Sequence, residues 1–380
     1  MPPLETRPDA VRWNELDGVR GFAALLVVYV HLFLQWVPAQ PPPVFWLRTL
    51  SGLAWTGVDL FFILSGFLIG GILLRNREAE NYYRVFYLRR AFRILPLYFA
   101  LLLLFFALRF GFSIGHAPGL GDGAIPWGAY PLLVQNFPMA WTGDWGSAPL
   151  GVTWSVALEE QFYLCLPLLI RWIPARRQFA AFALLALAAP ALRAIPHPLA
   201  STFLLSGSTD LFFSGVILAW LFLHRPVVFQ APSGRTLAAV LFGAGGLGMA
   251  WLAVRGHLGP FRETVIALFW GSFLWLVLAF RGTCFTAPLR WRPLCWVGGI
   301  SYGVYLLHVL VSHLLFLAVF GKESTESMGR SGFLLSCLCL GLTLGIAYLS
   351  ARFFERPLTA FGHRFNYRKP EVRSPEAVRD

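Results

Sequence analysis

The sequence predicts an all-α, polytopic membrane protein of about ten transmembrane helices with both termini in the cytoplasm, and three observations predict it. Of its 380 residues 57% are hydrophobic and only 13% are charged, about half the charge of an ordinary soluble domain, which excludes a soluble enzyme. The apolar residues, 35 Phe and 15 Trp among them, run along the whole length instead of forming one anchor. The basic residues are segregated: with the N-terminus inside, seven of the 31 Lys and Arg (Arg48, Arg109, Arg193, Arg255, Arg262, Lys322 and Arg330) lie outside and the other 24 are cytoplasmic, the bias that orients helices in bilayers. The net charge of +12 is thereby assigned to cytoplasmic loops, and nucleic acid is not expected as a partner.

A hydrocarbon core about 30 Å thick needs roughly 20 apolar helical residues per crossing. Candidate spans are residues 19–37, 53–74, 94–112, 150–173, 179–195, 204–223, 236–254, 264–280, 297–320 and 332–354. Residues 1–18 lack the basic start and small-residue cleavage site of a signal peptide and are expected as a cytoplasmic segment. Residues 19–358 then form the membrane domain and 359–380 a polar, disordered cytoplasmic tail. Between spans, residues 113–149 hold no Lys or Arg, carry Trp127, Tyr130, Trp141 and Trp145 with Asp122 and Asp144, and are placed outside. Residues 75–95 are basic and end at Pro96, where the third span is expected to begin because proline is tolerated in a first helical turn. Cys165, Cys284, Cys295, Cys337 and Cys339 lie in or beside apolar runs without a CxxC pair, so neither a disulfide framework nor a metal site is expected.

Chemistry-bearing residues cluster in the early spans. In the first, His31 follows Arg20 by eleven residues; at about 1.5 Å and 100° per residue it lies roughly 16 Å deeper on nearly the same face. Ionisable groups at that depth are costly and usually functional. In the second, Asp59 near the outer end reads either as a helix cap or as a group that orients a histidine or binds an acceptor hydroxyl. Ser65 and Gly66 read as small residues for close helix packing. Arg90 and Arg93 share a helix face; they can grip phosphates with bidentate geometry, or simply mark the cytoplasmic side. The fourth span opens Thr153-Trp154-Ser155 and carries Glu159 and Glu160, which point about 100° apart, so only one can face a site. His308 in the ninth span reads as a bonded core histidine, and Glu355-Arg356-Pro357 as a helix stop with a local ion pair. His31, Asp59 and Glu159 also permit a different class of protein, a proton-coupled carrier using them as a relay, although matching broken helices in two halves are not evident.

Together these residues resemble the acyltransferase-3 family of integral membrane acyltransferases. The resemblance rests on Arg20 and His31 at Arg-x10-His spacing, GVDLFFILSGFL at 57–68, Arg90-x-x-Arg93, TWSVALEEQFY at 153–163, ISYGVYLLH at 300–308 and ERP at 355–357, and so covers nearly the whole chain. It implies transfer of an acyl group, usually acetyl, from cytoplasmic acyl-CoA to a hydroxyl of a cell-surface glycan or lipid-linked sugar, in the inner membrane and without a metal. On that reading His31 is the general base, Glu159 and Arg20 complete the catalytic charge network, Arg90 and Arg93 bind CoA, and Asp59, Trp154 and Ser155 contact substrate.

Overall fold

The computed structural model describes residues 13–37, 44–111, 124–195, 203–321 and 329–368. Among them there are helices and turns and no strand. Ten helices have 16 residues or more: α1 Asn14–Leu32, α2 Gly57–Arg75, α3 Tyr82–Phe106, α4 Trp154–Trp172, α5 Gln178–Ala194, α6 Thr209–His224, α7 Pro232–Arg255, α8 Arg262–Ala279, α9 Ser301–Phe320 and α10 Gly329–Ser350. Six segments are long and apolar enough to cross a membrane: Arg48–Arg75, Tyr82–Gly111, Pro232–Arg255, Gly259–Ala279, Ser301–Phe320 and Arg330–Gly362. The molecule is thus an all-α, multi-pass membrane protein. The other four expected spans are helical too, but α6 is apolar and only 16 residues long. α1 and α4 carry Glu15, Asp17 and Arg20, and Glu159, Glu160 and Arg171, and three charges each keep them below the apolarity of a crossing. On the periphery, α7 leaves Leu237, Val240, Leu247, Trp251 and Val254 exposed, the apolar surface that a bilayer covers.

Two boundaries differ from expectation. The third span does not begin at Pro96: α3 runs unbroken from Tyr82 to Phe106 with Pro96 inside it, so Arg90 and Arg93 stand on the barrel of a long helix. Nor does Pro357 stop the last span, which passes through a π turn at Ala351–Glu355 into a further helix, Arg356–Gly362; proline sits in that helix's first turn, where its missing N–H costs nothing. Residues 363–368 then pack back on α3: Arg89 Nε donates to Phe365 O (2.8 Å), and Asn81 exchanges hydrogen bonds with Asn366 O (2.9 Å) and Arg368 N (2.9 Å). The first part of the expected tail is therefore held in place. Residues 1–12, Asp122 and 369–380 lie outside the described residues.

The centre of the bundle is aromatic. Phe212 of α6 stacks between Phe62 of α2 (4.6 Å) and Phe162 of α4 (4.2 Å). α2 and α6 approach closely enough that a Cβ on Gly66 would lie 2.0 Å from Phe212 O, and one on Gly215 2.0 Å from Ile63 O. One buried cation ties α5, α6 and α8 together. Arg193 of α5 pairs bidentately with Asp210 of α6 (3.0 and 2.7 Å), reaches Glu263 of α8 (3.4 Å) and donates to Pro260 O and Gly207 O, so its burial is matched by charge and hydrogen bonds.

Candidate functional site: three adjoining cavities

The first cavity, about 260 Å³, opens where α1 begins and α2 ends; Arg20, Arg75, Arg89, Arg90 and Arg93 line it against one carboxylate, Asp17. Arg20 Nη1 and Asp17 Oδ1 are 3.3 Å apart, one turn along α1. Five guanidinium groups and one acid give this cavity a net positive lining, and guanidinium forks match the geometry of phosphate oxygens. Asn76, with Tyr367 and His363 of the folded-back C-terminal segment, also lines it.

Arg20, Arg90 and Arg93 also line a second cavity of about 190 Å³. On its far side are Ser65, Ser155, Glu159, Tyr163 and Tyr305. Ser65 Oγ donates to Glu159 Oε1 (2.6 Å), and Tyr163 Oη donates to Ser65 Oγ (3.0 Å), so Ser65 does more than permit packing. Its neighbour Gly66 has the packing role. Glu159 thus faces the basic groups while Glu160, the next residue, does not line the cavity, as a 100° helical step requires.

A third cavity of about 590 Å³ holds His31, Asp59, Trp55, Trp145, Trp154, Arg262 and Glu263, and shares Val58 and Tyr305 with the second. Tyr305 Oη donates to Val152 O (3.0 Å) and lies 2.6 Å from Ser155 Oγ, which fixes the ring between the two spaces. His31 is exposed to its cavity. Its Nδ1 donates to Val27 O (2.9 Å) and lies 3.3 Å from Nε2 of the buried His308. Asp59 is 6% exposed and its Oδ2 has no hydrogen-bond partner; a buried carboxylate oxygen at a cavity wall is a ready acceptor for a hydroxyl. Arg262 bonds Glu263 and lies 5.5 Å over the ring of Trp55. Trp145 is presented by a turn in which Gly143 and Gly146 have φ of 72° and 71°. The turn is pinned by Asp144, whose carboxylate accepts from Ala124 N (3.0 Å) and Gly146 N (2.7 Å) and is held below its ordinary value by those two bonds.

The structure therefore groups Arg20, Arg90, Arg93 and Glu159 on the basic side, with Ser155 at the junction, and His31, Asp59 and Trp154 beyond it. Spacing alone did not single out Tyr305 or Ser65, nor Arg262 and Trp55 as cavity walls. They belong to helices far apart in sequence, and the signal available was only a polar or aromatic side chain within an apolar run. Among the described residues no group of three or more His, Cys, Asp or Glu is gathered to hold a metal.

A cavity rich in arginine, a polar cavity beside it and a third that holds His31 and Asp59 thus lie side by side in one helical membrane protein. The profile of the acyltransferase-3 family, described as an acyltransferase domain, matches residues 13–352, and the chain belongs to that family. It is similar to YrhL of Bacillus subtilis, 28% identical over 92% of this chain and 55% of that protein. The peptidoglycan O-acetyltransferase OatA of Listeria monocytogenes is 25% identical over 93% of this chain and 57% of its own length. Nodulation protein 10 of Rhizobium leguminosarum is 28% identical over 80% and 83%. The chain thus spans little more than half the length of YrhL and OatA. No solved structure matches it.

Proposed function

We propose that this chain is an integral membrane O-acyltransferase that moves an acyl group, acetyl in the reading its relatives favour, from cytoplasmic acyl-CoA to a hydroxyl of a cell-envelope glycan or lipid-linked sugar. The observation that carries the proposal is that the three cavities adjoin, the first and second sharing Arg20, Arg90 and Arg93 and the second and third sharing Val58 and Tyr305, with His31 on the wall of the third. Arg90, Arg93 and Arg20 grip the phosphates of the donor by charge-assisted bonds. The flexible arm of CoA lies through the second cavity, a path of roughly 16 Å judged from the rise between Arg20 and His31. Glu159, set opposite the arginines, balances their charge and orients them. The thioester then reaches Tyr305, and the acceptor sugar occupies the third cavity against Trp154, Trp145 and Asp59. Ser155, bonded to Tyr305, serves the neck between donor and acceptor.

The chemistry is a proton-coupled acyl exchange. His31 takes the proton of the acceptor hydroxyl as its oxygen attacks the thioester carbonyl, the C–S bond breaks, and the imidazolium returns that proton to the departing CoA thiolate. Imidazole suits this role because it can accept and release a proton near neutral pH. The orientation with the basic cavity in the cytoplasm, ten crossings and an inner-membrane location belongs to the same proposal, supported by the distribution of Lys and Arg.

The test is acyl transfer per folded molecule by purified protein, with acetyl-CoA and an oligosaccharide acceptor. His31→Ala removes the base and little volume, so the protein should fold in detergent while turnover falls about a hundredfold to ten-thousandfold. Retention of more than about a tenth of turnover, too small a loss for a missing general base, would overturn the assignment. Transport without release of free CoA would instead favour the carrier.

A further inference from the structure

We infer that His308 is the positioning residue for His31: it fixes the tautomer that leaves His31 Nε2 as the base and accepts a hydrogen bond from the imidazolium formed during transfer. This rests on the reading of His31 given above and extends it to a residue with no contact to substrate.

Two contacts decide where the protons are. His308 Nδ1 lies 2.6 Å from Tyr305 O. A backbone carbonyl has no proton to give, so Nδ1 carries one, and in the neutral ring Nε2 is left with a lone pair. That lone pair faces His31, 3.3 Å from its Nδ1, with the rings edge-on at 71°. His31 Nδ1 lies 2.9 Å from another carbonyl, Val27 O, and must likewise be the protonated nitrogen. It therefore donates both to Val27 O and towards His308 Nε2, and the nitrogen left unprotonated in neutral His31 is Nε2. When Nε2 takes the hydroxyl proton the ring becomes a cation, and its Nδ1–H already has two acceptors in place. An oriented partner on the far nitrogen holds tautomer and ring angle and stabilises the charged form, as carboxylates do for histidines elsewhere.

The setting favours this partner for geometric reasons. His308 is 0% exposed and lies one turn after Tyr305 on α9, so the same helix turn places the ring that walls the neck and the ring that backs the base. The other charged groups facing His31 are Asp59 on α2 and Arg262 and Glu263 on α8, all lining its cavity, with Tyr305 as the remaining titratable neighbour. None of them hydrogen-bonds to His31 Nδ1, whose partners are Val27 O and His308 Nε2, and none is altered by a substitution at His308.

The experiment compares His308→Gln, His308→Leu and His31→Ala in the intact protein, reading kcat against pH, KM for acetyl-CoA and thermal midpoint in detergent. Glutamine offers its carbonyl oxygen where Nε2 stood; leucine fills the space without an acceptor. The expected result is that His308→Leu lowers kcat about 10- to 100-fold, the usual cost of losing an outer partner. The acid limb of its pH–rate profile should move to lower pH, because the cationic ring has lost a hydrogen bond, and KM for acetyl-CoA should stay within about twofold. His308→Gln should recover most of the rate and the original acid limb. If His308→Leu folds and keeps both the wild-type rate and pH profile while His31→Ala is inactive, the positioning role is wrong and the general base stands. Equal loss in the Gln and Leu variants, with both folded and an unshifted pH profile, overturns it too. An active His31→Ala would remove the reading beneath it instead.

Discussion

At the scale of single residues, Arg90 and Arg93 carry the donor reading most directly. Their i,i+3 spacing was visible in the sequence, but spacing alone left two uses open, since arginines also mark the inner ends of spans. Both line the first and the second cavity together with Arg20, which supports the proposed grip on the donor's phosphates. Arg90→Ala should accordingly raise KM for acetyl-CoA at least tenfold while changing KM for the acceptor by less than about threefold, because a lost charge-assisted bond falls on the substrate that made it. Steady-state kinetics with each substrate varied in turn checks this; equal rises in both constants would reduce the pair to a topological signal. Asp59 shows the opposite relation between sequence and structure. Its cap and site readings were equally open from sequence; the structure adds that its Oδ2 has no hydrogen-bond partner and that it lines the His31 cavity, which supports the acceptor role proposed for it.

At the scale of helices, the contact between α2 and α6 sets the frame for both halves of the site. α2 presents Asp59 to the third cavity, Ser65 to the second and Arg75 to the first, so its tilt and depth govern all three. That placement depends on Gly66 and Gly215 letting two backbones meet. A methyl at Gly66 would sit 2.0 Å from Phe212 O, a backbone atom that cannot swing aside, so the helices must part. Gly66→Ala is expected to cost about 1–3 kcal/mol, the usual penalty of overpacking, seen as a lower thermal midpoint and a smaller folded yield. Gly341→Ala on α10, where nothing lies within 4 Å of the added carbon, serves as the control and should be silent. The unbroken course of α3 through Pro96 is a second decision taken at this scale. A proline after a basic run reads as a helix start, yet the preceding residues Tyr82–Leu95 are already helical, and α9 supports that region through Tyr302 Oη, which donates to Ile94 O (2.9 Å).

For the whole molecule, the question is direction: which end of the cavity path faces the cytoplasm. In the proposed orientation, which the 24 to 7 division of Lys and Arg supports, the arginine cavity faces the cytoplasm, the side of the proposed acyl-CoA donor, and the His31 cavity faces the envelope. Reporter fusions at residue 85 and after the last residue should report cytoplasm, and one at residue 125 the opposite side. A cytoplasmic signal at 125 would exchange donor and acceptor faces and defeat the mechanism. Among the described residues six segments meet the length and apolarity of a crossing on their own, so the same fusions also count crossings where hydropathy does not.

The solvent, the helical class and the inventory of reactive groups are legible in residue order. Composition decides burial in lipid, the Arg20–His31 stripe follows from helical geometry, and the ordered motifs point to the acyltransferase-3 family. The company those groups keep is set by helix packing. His308 was read as a bonded core histidine, and it is bonded, to Tyr305 O; that the other face of its ring meets His31 follows from how α9 packs beside α1, across 277 residues of chain. Ser65, Glu159 and Tyr163 likewise become one hydrogen-bonded set only when α2 lies against α4. Helical periodicity reports which face of one helix a residue occupies. It carries no information on which other helix that face will meet, since inside a bilayer the choice of neighbour rests on close packing and on polar groups that must find one another.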